Sequence, residues 1–90
     1  PLVIWGAGQT GKRFARALEA HGMRPAFFVD IDPRKIGRQA RGRPIRTREA
    51  LDPRVHQLVV AVGARGARDL IRGELDRLGF REGERCWFAA

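Results

Sequence analysis

The chain is organised around the segment Leu2-Val3-Ile4-Trp5-Gly6-Ala7-Gly8-Gln9-Thr10-Gly11-Lys12-Arg13, in which an apolar run leads into a glycine cluster and then into a helical pattern. The spacing Gly6-x-Gly8-x-x-Gly11 suits a turn from a strand into a helix, where the backbone bends sharply and approaches a diphosphate closely. A helix that begins here directs its unpaired N–H groups at an anion. The segment therefore predicts a phosphate-binding turn, with Gln9 and Thr10 beside the glycines.

The length of the chain limits what it can do. Its 90 residues suffice for one domain with a single core, but not for a nucleotide fold together with a substrate-binding region. We therefore expect residues 1–90 to form one nucleotide-binding domain that belongs to a longer protein, and a first residue other than Met agrees with this. The apolar runs are too short to span a membrane and no signal peptide opens the chain, so we expect a cytoplasmic protein without a membrane span.

The net charge of +8 raises the alternative of a nucleic-acid partner. Sixteen of the eighteen basic residues are Arg, and Ser, Asn and Tyr are absent, as a GC-rich coding bias would produce. The cations are also interleaved with acids over much of the chain, and only residues 34–48 are densely basic. The pattern thus favours a small-molecule partner over nucleic acid.

Apolar runs alternate with helical patterns along the chain. In the first half, the apolar residues 2–5 predict a central buried strand, residues 10–21 a helix that ends at Gly22, and residues 26–29 a second strand. In the second half, we expect an edge strand over residues 43–45 and one helical turn over residues 47–51, with Thr47 as N-cap. A buried strand over residues 57–62, a helix over residues 65–78 and a last strand over residues 85–89 then follow. The last helix places its apolar residues at helical intervals: Leu70, Ile71, Leu75 and Leu78.

This alternation predicts an α/β fold. Strands linked by helices form a parallel sheet with right-handed crossovers, and helices then cover both faces of the sheet. We expect three layers around a doubly wound parallel sheet of four to five strands, in the order 3-2-1-4-5.

Asp30 follows the second strand, 19 residues after Gly11. A carboxylate at this point can accept hydrogen bonds from ribose hydroxyls and would repel a 2′-phosphate. The cations Arg34 and Lys35 keep a 2′-phosphate open as an alternative. Asp32 is a second candidate for the site, although its pattern favours a role in the turn Asp32-Pro33-Arg34-Lys35.

A second motif overlaps the first. The pattern Gly6-x-x-x-x-Gly11-Lys12 matches a Walker A loop up to its last position, where a Ser or Thr ligates Mg²⁺. Arg13 stands there instead, so we do not expect a nucleoside triphosphatase.

The strand of residues 57–62 lies next to the first strand in the expected sheet, and it ends at Gly63, just before the helix that begins at Arg65. Ligands of such sheets bind in the crevice at the carboxyl ends of the strands. Gly63 is therefore a candidate ligand contact, and Arg65 and Arg68 are candidates to meet a phosphate or a sugar acid, while an ordinary solvated helix start is an equally good alternative.

Catalytic and metal-binding residues are scarce in this sequence. His21 and His56 are isolated from one another and from other candidate ligands, and Cys86 lies in an apolar run that favours burial. We predict no catalytic residue and no metal site, and we expect the chain to bind a ligand without acting on it alone.

A resemblance to a known kind of domain covers nearly the whole chain. The segments that support it are Val3 to Asp32, Lys35-Ile36-Gly37, Gly42-Arg43-Pro44-Ile45, Val60-Ala61-Val62-Gly63 and Arg68-x-x-Ile71-x-x-x-Leu75-x-x-x-Gly79-Phe80. The sequence resembles the small Rossmann-like domains attached to bacterial sugar acetyltransferases and glycosyltransferases. The resemblance implies that the three glycines form the phosphate turn, that Asp30 meets the ribose or base, and that Gly63 faces the ligand. The β-helix of the acetyltransferases, which bears their catalytic base, has no counterpart here.

Three functional hypotheses follow. The first is a nucleotide- or nucleotide-sugar-binding module of a glycosyltransferase or sugar-modifying protein, with a UDP-sugar or NAD as ligand and the catalytic domain of the same chain as partner. The second is an NAD(H)-binding sensor or oxidoreductase domain. The third is a docking domain that binds no nucleotide. Whether the parent protein is an enzyme, and whether the domain forms a homodimer, stay open.

Overall fold

A computed structural model describes residues 1–89, apart from the side chain of Arg65, and Ala90 lies outside the described residues. The strands and helices, in chain order, are β1 (Leu2–Trp5), α1 (Gln9–Glu19), β2 (Phe27–Val29), β3 (Gln39–Ala40), β4 (Arg43–Arg46), β5 (Gln57–Val60), α2 (Arg65–Leu78) and β6 (Cys86–Phe88). A 3₁₀ turn at Arg48–Ala50 follows β4. Thr47 precedes this turn as its N-cap, but its side chain makes no capping hydrogen bond.

The six strands form one sheet in the order β3-β4-β2-β1-β5-β6, and every pair is parallel except β3 with β4. The predicted count of four to five strands and the predicted order are therefore wrong. The difference comes from β3, whose two residues are too few to produce a recognisable apolar pattern. Because β3 covers one side of β4, the segment 43–45 is also not the edge strand that we expected.

A tight hairpin explains the extra strand. Ala40 pairs with Arg43, so only Arg41 and Gly42 connect β3 to β4, and both have positive φ angles, 47° and 79°. Two central residues with positive φ are typical of the type I′ turn, whose twist matches that of paired strands. Arg41 is an unusual residue there, and its guanidinium is held by two 2.7 Å hydrogen bonds to the Glu19 carboxylate on α1.

The sheet separates two apolar layers. Along β1, Val3 and Trp5 pack with Ile71 and Leu75 of α2, whereas Ile4 packs on the opposite face with the residues of α1. The strands are thus covered on both faces, which is why they are continuous apolar runs rather than alternating patterns. The result is an α/β domain of three layers, compatible with a Rossmann-like fold.

The helices agree with their predicted positions in most respects. Helix α2 has the expected bounds and ends at Gly79, where φ is 90° and the backbone N–H of Phe80 bonds back to Leu75. Helix α1 is shorter at its end than predicted. Leu70 is 75% exposed, so its assignment to the apolar face of α2 is wrong. Successive helical residues differ by about 100° around the axis, and the face defined by Ile71 and Leu75 leaves Leu70 at its margin.

Candidate functional site

The glycine turn joins the end of β1, which lies between β2 and β5 in the sheet, to the start of α1. Gly6 has a φ of 120° and donates its N–H to the carbonyl of Val29 at 2.7 Å. A Cβ atom on Gly6 would lie 2.6 Å from the carbonyl oxygen of Ala61. The backbone therefore needs glycine here for two reasons, the left-handed conformation and the close approach of the chain after β5.

Gly11 serves a different purpose, which is the contact between helix and turn. It lies in the first turn of α1 and is buried, and a Cβ atom on it would lie only 1.7 Å from the carbonyl oxygen of Gly6. No rotation of a side chain relieves a contact with backbone. Gly11 is therefore required by the fold and does not itself line the cavity described below.

Gly8 differs from both, because the fold has no steric need for a glycine there. Its φ of −86° is open to any residue, and a Cβ atom would meet only the Nζ atom of Lys35, at 3.7 Å. Gly8 is the N-cap of α1, and α1 has neither a side-chain cap nor an acidic residue in its first turn. No side chain of α1 itself therefore competes for the first N–H groups of the helix, while the carboxylate of Asp30 bonds to the N–H of Ala7 just before it.

Asp30 is tied to the turn by its carboxylate. The backbone N–H of Ala7 donates to Oδ2 and that of Asp32 donates to Oδ1, each at 2.9 Å. Lys35 lies nearby, with its Nζ atom 3.9 Å from Oδ2. An ionised carboxylate offers about four lone pairs, so these two hydrogen bonds leave acceptor capacity toward a ligand.

These residues surround a cavity of about 230 Å³ at the carboxyl ends of β1, β2 and β5. Six of the nine predicted site residues line it: Gly6, Gly8, Gln9, Thr10, Asp30 and Gly63. Of the other three, Gly11 packs beneath the turn, the Asp32 carboxylate is not among the lining groups, and the Arg65 side chain lies outside the described residues. The cavity also has an apolar wall, formed by Trp5, Ile31, Ala61, Val62, Ala67 and Ile71.

Asp32 has a local partner that accounts for its position. Its carboxylate accepts hydrogen bonds from the backbone N–H of Arg34 at 2.9 Å and from the guanidinium of Arg34 at 3.0 and 3.1 Å. The hydrogen bonds from Arg34 lower the pKa of Asp32 below its usual range. The structure thus places Asp32 in the turn, the role that the sequence favoured for it.

Lys35 lines the cavity, although its place in the sequence did not assign it to the phosphate turn. We considered it only as a contact for a 2′-phosphate, because it follows the second strand. The structure instead brings its ammonium next to Gly8, 27 positions earlier in the chain. Sequence spacing contains no signal for this contact, because the contact depends on the backbone conformation of residues 32–35.

An apolar groove of about 300 Å³ continues from the cavity along α2. The two share Trp5 and Ile31 and the inner face of α2, and Leu70 forms the outer wall of the groove. Ile31 is 72% exposed, so both Ile31 and Leu70 present large aliphatic surfaces to solvent. Single exposed aliphatic residues are common, but two beside one cavity extend its apolar character.

The isolated histidines and the cysteine lie away from this cavity. The ring of His56 packs edge-on against Phe27 and its Nδ1 atom accepts the backbone N–H of Asp52 at 3.0 Å. Cys86 is buried, and burial raises the pKa of its thiol. Within residues 1–89 as described, no group of three or more His, Cys, Asp or Glu side chains is placed to hold a metal ion. Neither α1 nor α2 is long and apolar enough to cross a membrane.

Comparisons with protein families and with curated proteins assign no function to this cavity. No family model matches the chain, and no curated protein shows significant similarity to it. The function must therefore be argued from the cavity and from the residues that line it.

Proposed function

We propose that this chain is a Rossmann-like nucleotide-binding module, whose glycine turn binds the diphosphate of a nucleotide or nucleotide-sugar. The observation that supports the proposal best is the open space at Gly8. A glycine that the fold does not require, at the N-cap of a helix without a cap or an acid, is explained if a ligand must approach that backbone.

Asp30 is the candidate contact for a ribose beside the diphosphate. It lines the same cavity as Gly8, and its unused lone pairs can accept hydrogen bonds from ribose hydroxyls. The apolar wall around Ile31 offers a surface for a planar base. An anion site at Gly8, a hydroxyl acceptor at Asp30 and an apolar surface at Ile31 would match the phosphate, the ribose and the base of a nucleotide.

The groups around the cavity suit binding better than catalysis. Its polar side chains are those of Gln9, Thr10, Asp30 and Lys35, and no His or Cys is among the described residues that line it. We infer that the module holds its ligand for a catalytic domain of the same protein, a glycosyltransferase or a sugar-modifying enzyme. A UDP-sugar would then be the ligand, whereas an NAD(H)-binding sensor or oxidoreductase domain is the alternative within the same site.

A docking module without a ligand is a second candidate function. The exposed Ile31 and Leu70 support it, because apolar surface of this kind is often covered in a larger assembly. In that case the cavity would be left over from a nucleotide-binding ancestor.

A nucleotide panel tests the proposal. We expect UDP-sugars, ADP or NAD to stabilise the chain against heat, by about 2.7 kcal/mol at one hundred times the dissociation constant. In a ¹⁵N NMR titration, the amide signals of Gly8, Gln9 and Thr10 should shift first. Preference for NAD over UDP-sugars would favour the alternative ligand.

The matched variants are Gly8→Val and Gly73→Val. Gly73 lies in α2 with a similarly open Cβ position, 4.0 Å from Arg77, and is not a cavity residue. We expect Gly8→Val to abolish binding with the fold retained, and Gly73→Val to bind as the native chain does. If none of the nucleotides binds the native chain, the proposal is wrong and the docking function gains support.

A further inference from the structure

We propose that Lys35 is the cation that binds the diphosphate in this site, so that the site selects nucleoside diphosphates and their esters over nucleosides. This inference rests on the proposed nucleotide-binding function and adds a residue and a selectivity to it. It starts from the position of one ammonium group in the cavity.

The ammonium of Lys35 faces the space that Gly8 leaves open. The side chain is 39% exposed and lines the cavity, and its Nζ atom lies 3.7 Å from the position that a Cβ on Gly8 would occupy. A ligand group that approaches the backbone at Gly8 therefore comes close to both the ammonium of Lys35 and the N-terminus of α1. Both attract negative charge, and a diphosphate has oxygens to meet both.

The hydrogen-bonding capacity of Lys35 is still available. Its nearest carboxylate oxygen, Oδ2 of Asp30, is 3.9 Å from Nζ, which is too long for a hydrogen bond. No other acceptor for this ammonium occurs among the described residues, so its three donors are free to meet phosphate oxygens.

Lys35 also solves an electrostatic problem of the site. Asp30 places a negative charge on the wall of a cavity that is proposed to take an anion, and two like charges at this range repel. The ammonium lies close enough to Asp30 to offset that charge. Asp30 can then accept ribose hydroxyls without weakening the binding of the diphosphate.

The local backbone holds Lys35 in this place. The N–H of Asp32 bonds to Asp30, and the N–H of Lys35 bonds to the carbonyl of Asp32 at 3.0 Å. The neighbouring cation Arg34 is instead 87% exposed and paired with Asp32. Two adjacent cations thus have different surroundings, which makes Arg34 a matched control.

The experiment compares the native chain with Lys35→Met, Lys35→Arg and Arg34→Met. Each is titrated by ¹⁵N NMR with UDP and ADP, and with uridine and adenosine, because this method measures weak binding. We expect Lys35→Met to weaken the diphosphate bound by the native chain by roughly 10- to 100-fold, as the loss of a charge-assisted hydrogen bond would. Lys35→Arg should restore most of this affinity, Arg34→Met should leave it within about twofold, and nucleoside affinity should stay unchanged throughout.

The outcomes separate the inference from the function on which it rests. If the native chain binds neither UDP nor ADP, the inference about Lys35 is wrong, and the proposed function fails with it if UDP-sugars and NAD do not bind either. If the native chain binds one of them and Lys35→Met binds it equally well, or loses the nucleoside by the same factor, only the role of Lys35 is wrong. Lys35→Gln provides a second neutral variant should Lys35→Met not fold. A measurement without variants is the salt dependence, since UDP binding to the native chain should weaken from about 50 to about 500 mM NaCl.

Discussion

The backbone N–H of Ala7 donates a hydrogen bond to Oδ2 of Asp30, and the two atoms lie 2.9 Å apart. Ala7 lies between two glycines of the turn and is 1% exposed, whereas Asp30 follows a neighbouring strand. The carboxylate expected to meet a ribose therefore also holds the backbone that is proposed to meet the phosphate. One side chain connects the two halves of the candidate site.

Replacement of Asp30 should lower stability as well as binding. In Asp30→Ala, the buried N–H of Ala7 loses its acceptor, so we expect the free energy of unfolding to fall by about 1–3 kcal/mol. Asp30→Asn retains one acceptor oxygen and should cost less. Urea denaturation of the three chains gives the comparison, and equal midpoints for Asp30→Ala and the native chain would contradict this role.

Two glycine-to-alanine changes should shift stability in opposite directions. In Gly11→Ala the new Cβ would lie 1.7 Å from the carbonyl oxygen of Gly6, and we expect a loss above the roughly 3 kcal/mol typical of overpacking. Gly73→Ala adds a Cβ in open space inside α2 and should stabilise the chain by roughly 0.5–1 kcal/mol. Thermal unfolding measures both, and a tolerated Gly11→Ala would show that the close packing is wrong.

The two leucines Leu70 and Leu75 of α2 should respond differently to truncation. Leu75 is 1% exposed and packs in the core, so Leu75→Ala should cost about 2–5 kcal/mol. Leu70 is largely exposed, and Leu70→Ala should stay within about 0.5 kcal/mol of the native chain. Similar losses for the two variants would place Leu70 in the core after all.

Acid should weaken the fold partly through Glu19. The hydrogen bonds from Arg41 lower the pKa of Glu19 from its ordinary 4.5. A carboxyl with a lowered pKa in the folded state binds protons more readily once unfolded, so its stabilising contribution is complete above pH 4.5 and is lost as the pH falls through the lowered value. We expect the free energy of unfolding to depend less on pH below 4.5 in Glu19→Gln than in the native chain. Urea denaturation at a series of pH values measures this dependence.

The control for this measurement is Glu84→Gln. Glu84 is exposed and has no ion pair in the part of the chain that the structure describes. Its replacement should leave the slope of stability against pH below 4.5 closer to that of the native chain than Glu19→Gln does. The interpretation fails if the two variants change the slope equally.

The thiol of Cys86 should react slowly in the folded chain. It is 1% exposed, and burial raises its pKa, so a smaller fraction is thiolate at pH 8 than in an unfolded chain. We expect an aromatic disulfide reagent to label it at least about a hundredfold more slowly without urea than with it, because labelling requires opening of the fold. Comparable rates would indicate that β6 does not protect this residue.

Much of the fold could be predicted because the signals were local. Residues 2–5 and 58–60 are apolar throughout, and both segments lie in strands covered on two faces. The bounds of α2 were predicted as observed, since its apolar spacing and Gly79 mark the helix and its end. The hairpin strand β3 was missed because its turn depends on Arg41, a residue type that seldom adopts a positive φ.

For the candidate site, the sequence by itself determined where the glycine turn lies and which carboxylate follows the second strand. Both could be predicted because glycine spacing and strand ends are read from neighbouring residues. Only the tertiary structure separated the three glycines, since Gly6 is constrained by Ala61 and Gly11 by Gly6, whereas Gly8 faces open space. Only the tertiary structure placed Lys35 beside Gly8 as well. Contacts between distant segments are decided by packing and leave no pattern in either segment alone.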